Sequence, residues 1–510
     1  MIKVINLLFV LIGYFTLIIP TSEKQISDKK NIIKLDTTDK GVAIKHCSSC
    51  HLFPEPNLLD QKTWLLGVLP NMAYRLGLST VHNSPYSGLD QEEIELIKQT
   101  GVYPEEPLIS KKDWDKIIRY YVINAPIEPL PIQEDQIFET SLNLFEGQFI
   151  SFKAEKIPKT TLLAFEPSSK NIMVGDAANE FFVLNKEFEI LNVIKTPSPP
   201  AWIDFPKNKF PRLLCLGSLI PSEKKEGKLL NLNKSMSVII DDLPRSVHFS
   251  TGDLNSDGVD DTVICGFGNH TGRLFWIDGK NNQKQHTLSV QPGARKAAII
   301  DLDLDGKLDI VVMMAQGNEK IIWFKNLGNE QFEEIILANF HPLFGLSNFE
   351  FIDFNNDGFQ DLLISNGDNW DFSNTLKNFH GIRVLLNDSK NNFKENYFFA
   401  LEGASSVKSA DFDQDGDFDI VSTSFYSETQ NPERGFVYLE NLGTRKFKPY
   451  TTEVAKAGKW LCLEIADIDS DGDLDILLGS YFHTQKEVMQ TQALGFETLP
   501  QILILKNLLK

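Results

Sequence analysis

The chain has 510 residues, a formal net charge of −19 and only five cysteines. This length is sufficient for more than one domain, and the strongly acidic balance argues against a nucleic-acid-binding function. After the first residues, no segment is apolar enough to cross a bilayer as a helix.

The amino terminus predicts export. Met1-Ile2-Lys3 precedes an apolar run from Val4 to Ile19, which is long for the core of a signal peptide and short for a membrane span of about twenty residues. We expect residues 1–22 to be a cleaved signal peptide, and an uncleaved N-terminal membrane anchor is the alternative. In both cases the mature chain would be periplasmic or exposed at the cell surface.

Cys47-Ser48-Ser49-Cys50-His51 has the spacing of a c-type haem attachment site. Two thiols add to the haem vinyl groups, and the adjacent imidazole ligates the iron from the proximal side. Half of a zinc site or a thioredoxin-like redox pair also begins with Cys-x-x-Cys, but the chain has no second such pair and no thioredoxin-like strand–helix pattern here. The motif therefore predicts covalent haem c on Cys47, Cys50 and His51.

The sixth iron ligand is less strongly specified. Met72 is the only methionine in the segment around the motif, and a thioether ligand raises the haem potential in a way that suits electron transfer. In the alternative interpretation Met72 is an ordinary core residue, and His82 ligates the iron or the position stays open. We also expect the carbonyl of Pro54 or Pro56 to accept the Nδ1 proton of His51.

Two helices are predicted after the motif. One begins at Asp90 with acidic residues in its first turn, where the helix dipole favours them, and another begins at the capping-box-like Ser110. Apolar residues recur along the second helix at helical spacing: Trp114, Ile117, Ile118 and Tyr121. With the haem motif, residues 38–126 resemble a c-type cytochrome domain, which implies a small all-α fold.

Residues 127–144 read as a proline-rich, stiff linker. Beyond it, residues 145–510 contain short apolar strands and five copies of the template Asp-x-Asp/Asn-x-Asp-Gly-x-x-Asp, at successive spacings of 48, 52, 58 and 56 residues. The predicted metal ligands at template positions 1, 3, 5 and 9 are Asp253, Asn255, Asp257 and Asp261; Asp301, Asp303, Asp305 and Asp309; Asp353, Asn355, Asp357 and Asp361; Asp411, Asp413, Asp415 and Asp419; and Asp467, Asp469, Asp471 and Asp475.

These loops predict calcium sites. Alternating oxygen ligands, a turn-forming glycine at position 6 and the position-7 carbonyl suit a hard cation. An EF-hand starts in the same way, but it needs Glu at position 12 and flanking helices, whereas position 12 is here Ile264, Val312, Ile364, Ser422 or Leu478 and is followed by β-strand patterns. Metal-free solvated turns are the other interpretation, which the mutual repulsion of so many carboxylates disfavours.

Each loop lies between apolar strands in a unit of about fifty residues, as expected for a four-stranded propeller blade. The units resemble FG-GAP/VCBS repeats, the calcium-bearing blades also found in integrin α-subunit propellers. The resemblance covers residues 145–510 and implies a propeller of seven blades, with six or eight as alternatives. An earlier copy, residues 204–212, has Pro206 and Arg212 at ligand positions and no glycine at position 6, so we predict no calcium there.

The predicted fold is thus a small all-α cytochrome c-like domain followed by an all-β propeller. Three function classes fit: an electron-transfer protein whose propeller docks a redox partner, a dehydrogenase that uses haem as electron acceptor, and an adhesion protein that binds a surface ligand such as a glycan. The haem motif specifies chemistry whereas the propeller specifies a scaffold, which favours electron transfer. No catalytic residues can be identified from the sequence.

Overall fold

Seven four-stranded antiparallel sheets form the blades of a propeller. The computed structural model describes residues 37–78, 84–131, 137–152, 157–281, 284–369, 375–427, 431–443 and 446–509, so that the expected signal peptide and His82 lie outside the described residues. The first strands of successive blades contact one another around the ring, which places them innermost. The prediction of a seven-bladed propeller is confirmed.

The first three blades have the following strands, from the innermost outward. Blade 1 contains β2 (Thr160–Glu166), β3 (Asn171–Asp176), β4 (Glu180–Leu184) and β5 (Ile190–Lys195). Blade 2 contains β6 (Pro200–Asp204), β7 (Arg212–Cys215), β8 (Gly227–Asn231) and β9 (Ser237–Leu243). Blade 3 contains β10 (Ser246–Gly252), β11 (Asp261–Gly266), β12 (Arg273–Ile277) and β13 (Gln285–Ser289).

The next three blades follow the same order. Blade 4 contains β14 (Ala294–Ile300), β15 (Asp309–Met314), β16 (Lys320–Gly328) and β17 (Gln331–Asn339). Blade 5 contains β18 (Leu346–Ile352), β19 (Asp361–Asn366), β20 (Gly381–Asn387) and β21 (Phe393–Ala400). Blade 6 contains β22 (Val407–Ala410), β23 (Asp419–Thr423), β24 (Phe436–Asn441) and β25 (Phe447–Tyr450).

The ring closes within blade 7. This blade contains β26 (Trp460–Ala466), β27 (Asp475–Ser480) and β28 (Ile502–Asn507), and its outermost strand is β1 (Phe145–Ile150) from the beginning of the propeller. The two strands β1 and β28 are antiparallel, with Phe145 opposite Asn507. Because the first strand completes the last blade, the ring is held shut by backbone hydrogen bonds and β28 has no open edge.

The hydrophobic core lies between adjacent blades. The second strand of a blade, such as β15, is buried along its whole length because neighbouring blades cover both of its faces. Between blades 3 and 4, for example, Val263 and Trp276 pack in one cluster with Val312. The short apolar runs of the sequence are these second strands.

The helical segment before the propeller has α1 (Thr37–Cys47), a 3₁₀ turn (Pro56–Leu58), α2 (Gln61–Thr63), a π-helical stretch (Trp64–Val68), α3 (Leu69–Arg75), α4 (Gln91–Thr100) and α5 (Lys111–Asn124). Asp90 caps α4 and Ser110 caps α5, as their positions in the sequence predict. Arg119 on α5 donates two hydrogen bonds of 2.7 Å to the buried Asp39, which fastens α1 to the closing helix. A sixth helix, α6 (Gln485–Ala493), lies within blade 7.

The helical segment packs against one end of the propeller. Glu93 on α4 accepts a 2.6 Å hydrogen bond from Ser222, and Thr63 on α2 lies 2.7 Å from Thr375, oxygen to oxygen. Leu343 packs in the same hydrophobic cluster as the helical core. The propeller residues in these contacts lie between the second and third strands of blades 2 and 5, or between blades 4 and 5.

This end is opposite to the aspartate loops. Each loop joins the first and second strands of its blade, and antiparallel pairing places the second-to-third connection at the other end of the sheet. We call the end with the helices the helical face and the other end the loop face. Among the described residues, none of the helices is long and apolar enough to cross a membrane.

Candidate metal-binding loops and haem-attachment motif

The five aspartate loops, residues 253–261 (blade 3), 301–309 (blade 4), 353–361 (blade 5), 411–419 (blade 6) and 467–475 (blade 7), share one backbone conformation. The glycine at position 6 has a φ between 84° and 100° in all five, which favours glycine at that turn. In blade 3 the position-1 carboxylate of Asp253 accepts hydrogen bonds of 2.9 and 2.8 Å from the backbone N–H groups of Asp257 and Gly258. These bonds hold the side chains at positions 1, 3 and 5 on one side of the turn.

The position-9 aspartates are buried and highly ordered by backbone donors. In blade 4, one oxygen of Asp309 accepts a 3.1 Å hydrogen bond from the N–H of Leu302, and the other accepts a 2.7 Å bond from the N–H of Asn326. Equivalent pairs of bonds occur in the other four loops. Position 9 therefore ties the loop to the turn between the third and fourth strands, and its remaining lone pairs face the loop.

Carboxylate oxygens converge in three loops. In blades 4, 6 and 7, three acidic side chains offer oxygens that all lie within 4.8 Å of one another: Asp301, Asp303 and Asp309; Asp411, Asp413 and Asp415; and Asp467, Asp469 and Asp475. The loops of blades 3 and 5 have an amide at position 3 and thus fewer acidic groups. Every side-chain donor at these positions is oxygen, the ligand type that calcium prefers.

Several of these oxygens are buried without a hydrogen-bond partner. They are Oδ1 of Asp303, Oδ1 of Asp411, Oδ1 of Asp417 and both carboxylate oxygens of Asp473, which is 4% exposed. An unpaired buried carboxylate oxygen is costly unless a proton or a cation compensates for it. The orphaned oxygens thus fit a bound cation.

The charge within the loops is also visible in their titration. Burial raises the pKa of Asp419 to about 7 and that of Asp475 to about 6. Burial and the neighbouring Asp471 raise the pKa of Asp473 to about 6. Without a cation, these groups hold a proton well above the ordinary range of aspartate.

Lysines pair with three of the five loops. In blade 4, Lys325 pairs with Asp303, and Lys307 lies 2.7 Å from Asp305. Lys280 in blade 3 and Lys506 in blade 7 make similar ion pairs. The blade 6 loop has no such pair among the described residues, so its charge is the least compensated.

The degenerate loop of blade 2 contains its own cation. Arg212, at position 9, donates a 3.0 Å hydrogen bond to Oδ1 of Asp204 and also contacts Oδ2. The side chains are only 14% and 22% exposed. The prediction that this loop lacks a calcium ligand set agrees with an ion pair in which a guanidinium faces the position-1 carboxylate.

Sequence reasoning missed two sets of residues. The buried Asn326 donates to carbonyls of Leu308 and of Leu254 in the preceding blade, and Asn507 donates in the same way to Leu474 and Phe412. The repeated asparagine near the end of each third strand was a visible signal of this role. Position 7 is aspartate only in blades 6 and 7, where it adds the unpaired oxygens described above.

The haem-type motif begins at the end of α1. Cys47 is the last residue of this helix and is half-buried, Cys50 is exposed, and neither forms a disulfide. The Ser49 hydroxyl donates a 2.7 Å hydrogen bond to the carbonyl of His46, which closes the turn between the two cysteines. Burial raises the pKa of Cys47 to about 11, whereas burial lowers the pKa of His51, so that its imidazole is neutral at pH 7.

Aromatic residues hold the chain after the motif. The Tyr121 hydroxyl donates a 2.8 Å hydrogen bond to the carbonyl of Pro54, and Trp64 donates one of 2.8 Å to that of Pro56. The carbonyl next to His51 Nδ1, at 2.8 Å, is that of Leu52. The expectation that Pro54 or Pro56 accepts this proton is therefore wrong, because their carbonyls are already occupied by the helical core.

Met72 and Cys47 belong to one hydrophobic cluster. Both are partly buried against a core that includes Trp64 and Tyr121. Near the motif, Ile44 and Leu52 are exposed to 40% and 41%, so that apolar side chains flank the cysteines at the surface. The role of Met72 as an iron ligand stays a prediction, and its rival His82 lies outside the described residues.

The comparisons with known proteins support the repeats. A family model described as an FG-GAP-like repeat matches residues 253–312 and 301–364. Together with the strand order, this defines the chain as a seven-bladed β-propeller with FG-GAP-like repeats. A search of the curated proteins found no match.

Solved structures that match are other propellers at low identity. The Neurospora crassa Pan2 WD40 domain is 11% identical, with coverage of 68% of this chain and 88% of that chain and a TM-score of 0.41. BBS1N in complex with ARL6DN, soaked with lead, is 9% identical, with coverage of 72% and 97% and a TM-score of 0.42.

Proposed function

We propose that this protein is an exported, haem c-containing, calcium-binding propeller that transfers electrons, with the propeller as the scaffold that docks a redox partner. The observation that carries the proposal is the Cys47–His51 motif at the end of α1, with a neutral imidazole and free thiols beside an aromatic helical core. Haem bound there supplies one-electron chemistry. The partner would be a redox protein that approaches the exposed side of the motif.

The residues of the helical segment have distinct tasks in this proposal. Cys47 and Cys50 would hold the haem covalently, and His51 would ligate the iron with its orientation fixed through Leu52. Met72 is the proposed sixth ligand. Tyr121 fixes the segment after the motif and excludes water from the side of Cys47.

Calcium is the proposed second cofactor, in the five aspartate loops. The side chains at positions 1, 3, 5 and 9 would bind it, and in blades 6 and 7 the extra carboxylates of Asp417 and Asp473 add charge close by. Five divalent ions would offset about ten of the 19 net negative charges. Their role would be to hold the loop face of adjacent blades in place.

The haem proposal is tested by covalent attachment. Protein matured together with c-type haem attachment machinery should keep haem peroxidase staining after denaturing electrophoresis, and the double variant Cys47→Ser/Cys50→Ser should lose it. Cys265→Ser is the matched control, since that thiol is buried within blade 3. Absence of staining in the wild type, or its survival in the double variant, would refute the proposal.

The sixth ligand needs a separate measurement. Met72→Ala should lower the haem midpoint potential and remove a thioether-to-iron absorption band. Met489→Ala is the control, because this methionine is exposed on α6. Unchanged spectra and potential in Met72→Ala would assign the position to another ligand or to an open site.

A dehydrogenase is the second candidate, favoured by one observation. The helical segment lies on the helical face, where the central channel of the ring opens, so a substrate at the channel mouth would be close to the helices. Substrate-dependent reduction of the haem, measured by its absorption, distinguishes this candidate. Reduction only by a partner protein favours electron transfer alone.

A further inference from the structure

The mouth of the central channel on the helical face contains two arginines from neighbouring blades. Arg245 immediately precedes β10, the innermost strand of blade 3, and Arg295 is the second residue of β14, the innermost strand of blade 4. Arg295 donates a 2.8 Å hydrogen bond to the hydroxyl of Tyr426 in blade 6. A contact between blades 4 and 6 crosses the channel, which places these side chains at its mouth.

Only one of the two guanidinium groups has a carboxylate partner. Arg295 lies 3.6 Å from Asp368, nitrogen to oxygen, and donates a further bond to the carbonyl of Ser347. Arg245 donates only to the carbonyls of Ser218 and Leu219, at 3.2 and 3.1 Å. Among the described residues no acid pairs with Arg245.

The hydrogen bonds of Arg245 leave one edge of its guanidinium unused. Nε bonds to Ser218 and Nη2 to Leu219, whereas Nη1 makes no hydrogen bond to the described part of the chain. The free Nη1–Nη2 edge has the fork geometry that matches a carboxylate. Burial, and then the charge of Arg295, lower the pKa of Arg245, which agrees with a cation that lacks a counter-ion.

We propose that this mouth is a binding site for a small carboxylate, which pairs with the free edge of Arg245 beside Arg295 and Tyr426. A partly buried guanidinium without an acid is costly, and an anionic ligand removes that cost. The phenol of Tyr426 and Asp368 offer polar groups for the rest of such a ligand. The site does not depend on haem attachment or on calcium.

The surroundings connect this site to the helical segment. The carbonyl of Arg245 accepts a 3.1 Å hydrogen bond from Gly268, in the loop whose His270 lies 3.3 Å from the Tyr103 hydroxyl. Ser218 and Leu219 lead to Ser222, which is bonded to Glu93. Both propeller loops next to the guanidinium therefore also contact the helices.

The test is calorimetric titration of the full-length, haem-loaded protein with succinate in a chloride-free buffer, with sulfate in a parallel arm. Arg245→Gln should weaken succinate binding at least about tenfold, and Arg245→Lys, which keeps the charge without the fork, should lie between the two. Arg273→Gln is the matched control, since Arg273 is an arginine of the same blade that has no acid partner but lies on the third strand. It should bind like the wild type.

Three results would overturn the proposal. They are an absence of succinate binding to the wild type up to about 10 mM, equal binding by wild type and both Arg245 variants, or an equal loss in Arg273→Gln. Tighter binding of sulfate than of succinate would overturn the carboxylate assignment. If Arg245→Gln fails to fold, the comparison of wild type with Arg245→Lys and Tyr426→Phe decides, because both substitutions leave a similar side-chain volume.

Discussion

The blade 2 loop and the five aspartate loops occupy equivalent positions in their blades but neutralise charge in different ways. In blade 2, Arg212 pairs with Asp204 through a covalently attached cation. In blades 3 to 7, position 9 is a buried aspartate, and several oxygens nearby have no partner. The comparison teaches that one blade geometry can be completed by a side chain or, as we propose, by an exchangeable ion.

The largest expected effect is that of calcium removal. Chelation should lower the melting temperature of the propeller by roughly 10 °C or more, because five sites that bind only the folded chain each contribute to its stability. Differential scanning calorimetry with and without chelator, followed by calcium re-addition, measures this. The haem spectrum below the melting transition should not change, since the helices lie on the opposite face. An unaltered melting temperature would contradict calcium in the loops.

The two kinds of loop should respond oppositely to chelation when one cation or ligand is removed. Arg212→Ala should cost about 2 kcal/mol with or without chelator, since the carboxylate of Asp204 is left partly buried without its partner. Asp415→Ala should cost about 1–3 kcal/mol with calcium present and much less after chelation.

Chemical denaturation of both variants in calcium and in chelator measures this difference. Asn208→Ala, at position 5 of the blade 2 loop, is the matched control for Asp415→Ala and should leave bound calcium unchanged. A calcium-dependent effect of Arg212→Ala would show that the arginine is not the resident cation of blade 2.

The stability of the metal-free protein should fall as pH rises. Burial raises the pKa of Asp419 to about 7 in the fold, whereas the unfolded chain releases this proton near pH 3.9. The folded state therefore binds more protons between about pH 4 and 7, so its stability decreases as pH rises through that window. Calcium should remove this dependence because it neutralises the ionised carboxylates.

Thermal melts of desalted, metal-free protein at about pH 5.5 and about pH 8 measure the difference. The stabilisation by added calcium should be greater at the higher pH. Asp419→Asn should flatten the pH dependence of the metal-free protein, and an unchanged slope in that variant would assign the titration to other groups.

The smallest expected effect concerns a competing lysine. Lys325 pairs with Asp303, so Lys325→Gln should tighten calcium binding in the blade 4 loop by a few tenths to about 1 kcal/mol. Lys390→Gln, which has no ion pair among the described residues, is the control. Calcium titration of both variants by calorimetry measures the change, and weaker binding in Lys325→Gln would contradict the competition.

Local patterns in the sequence were sufficient to predict most of the propeller. The spacing of the loops predicted seven blades, and Arg212 at a ligand position predicted that blade 2 differs. The ion pair between Arg212 and Asp204 was not predicted, because the sequence gives the missing ligand but not the direction of the side chain. The closure by β1 places Phe145 opposite Asn507, a contact that no local pattern indicates.

The packing of the helices on the propeller could not be predicted either. Glu93 and Ser222 lie 129 residues apart, and each is an ordinary polar residue in its own segment. Arg245 likewise gave no signal in the sequence, since its lack of an acid partner depends on side chains from several blades. By contrast, Cys47, Cys50 and His51 are recognisable because the chemistry requires them to be adjacent in the chain.

The most direct test of the account is elemental analysis of the purified full chain, matured with haem-attachment machinery and never exposed to chelator. We predict one iron and about five calcium ions per chain, since one attachment motif and five complete loops are present. No iron would contradict the haem-bearing electron-transfer protein. No calcium would show that the aspartate loops are solvated turns.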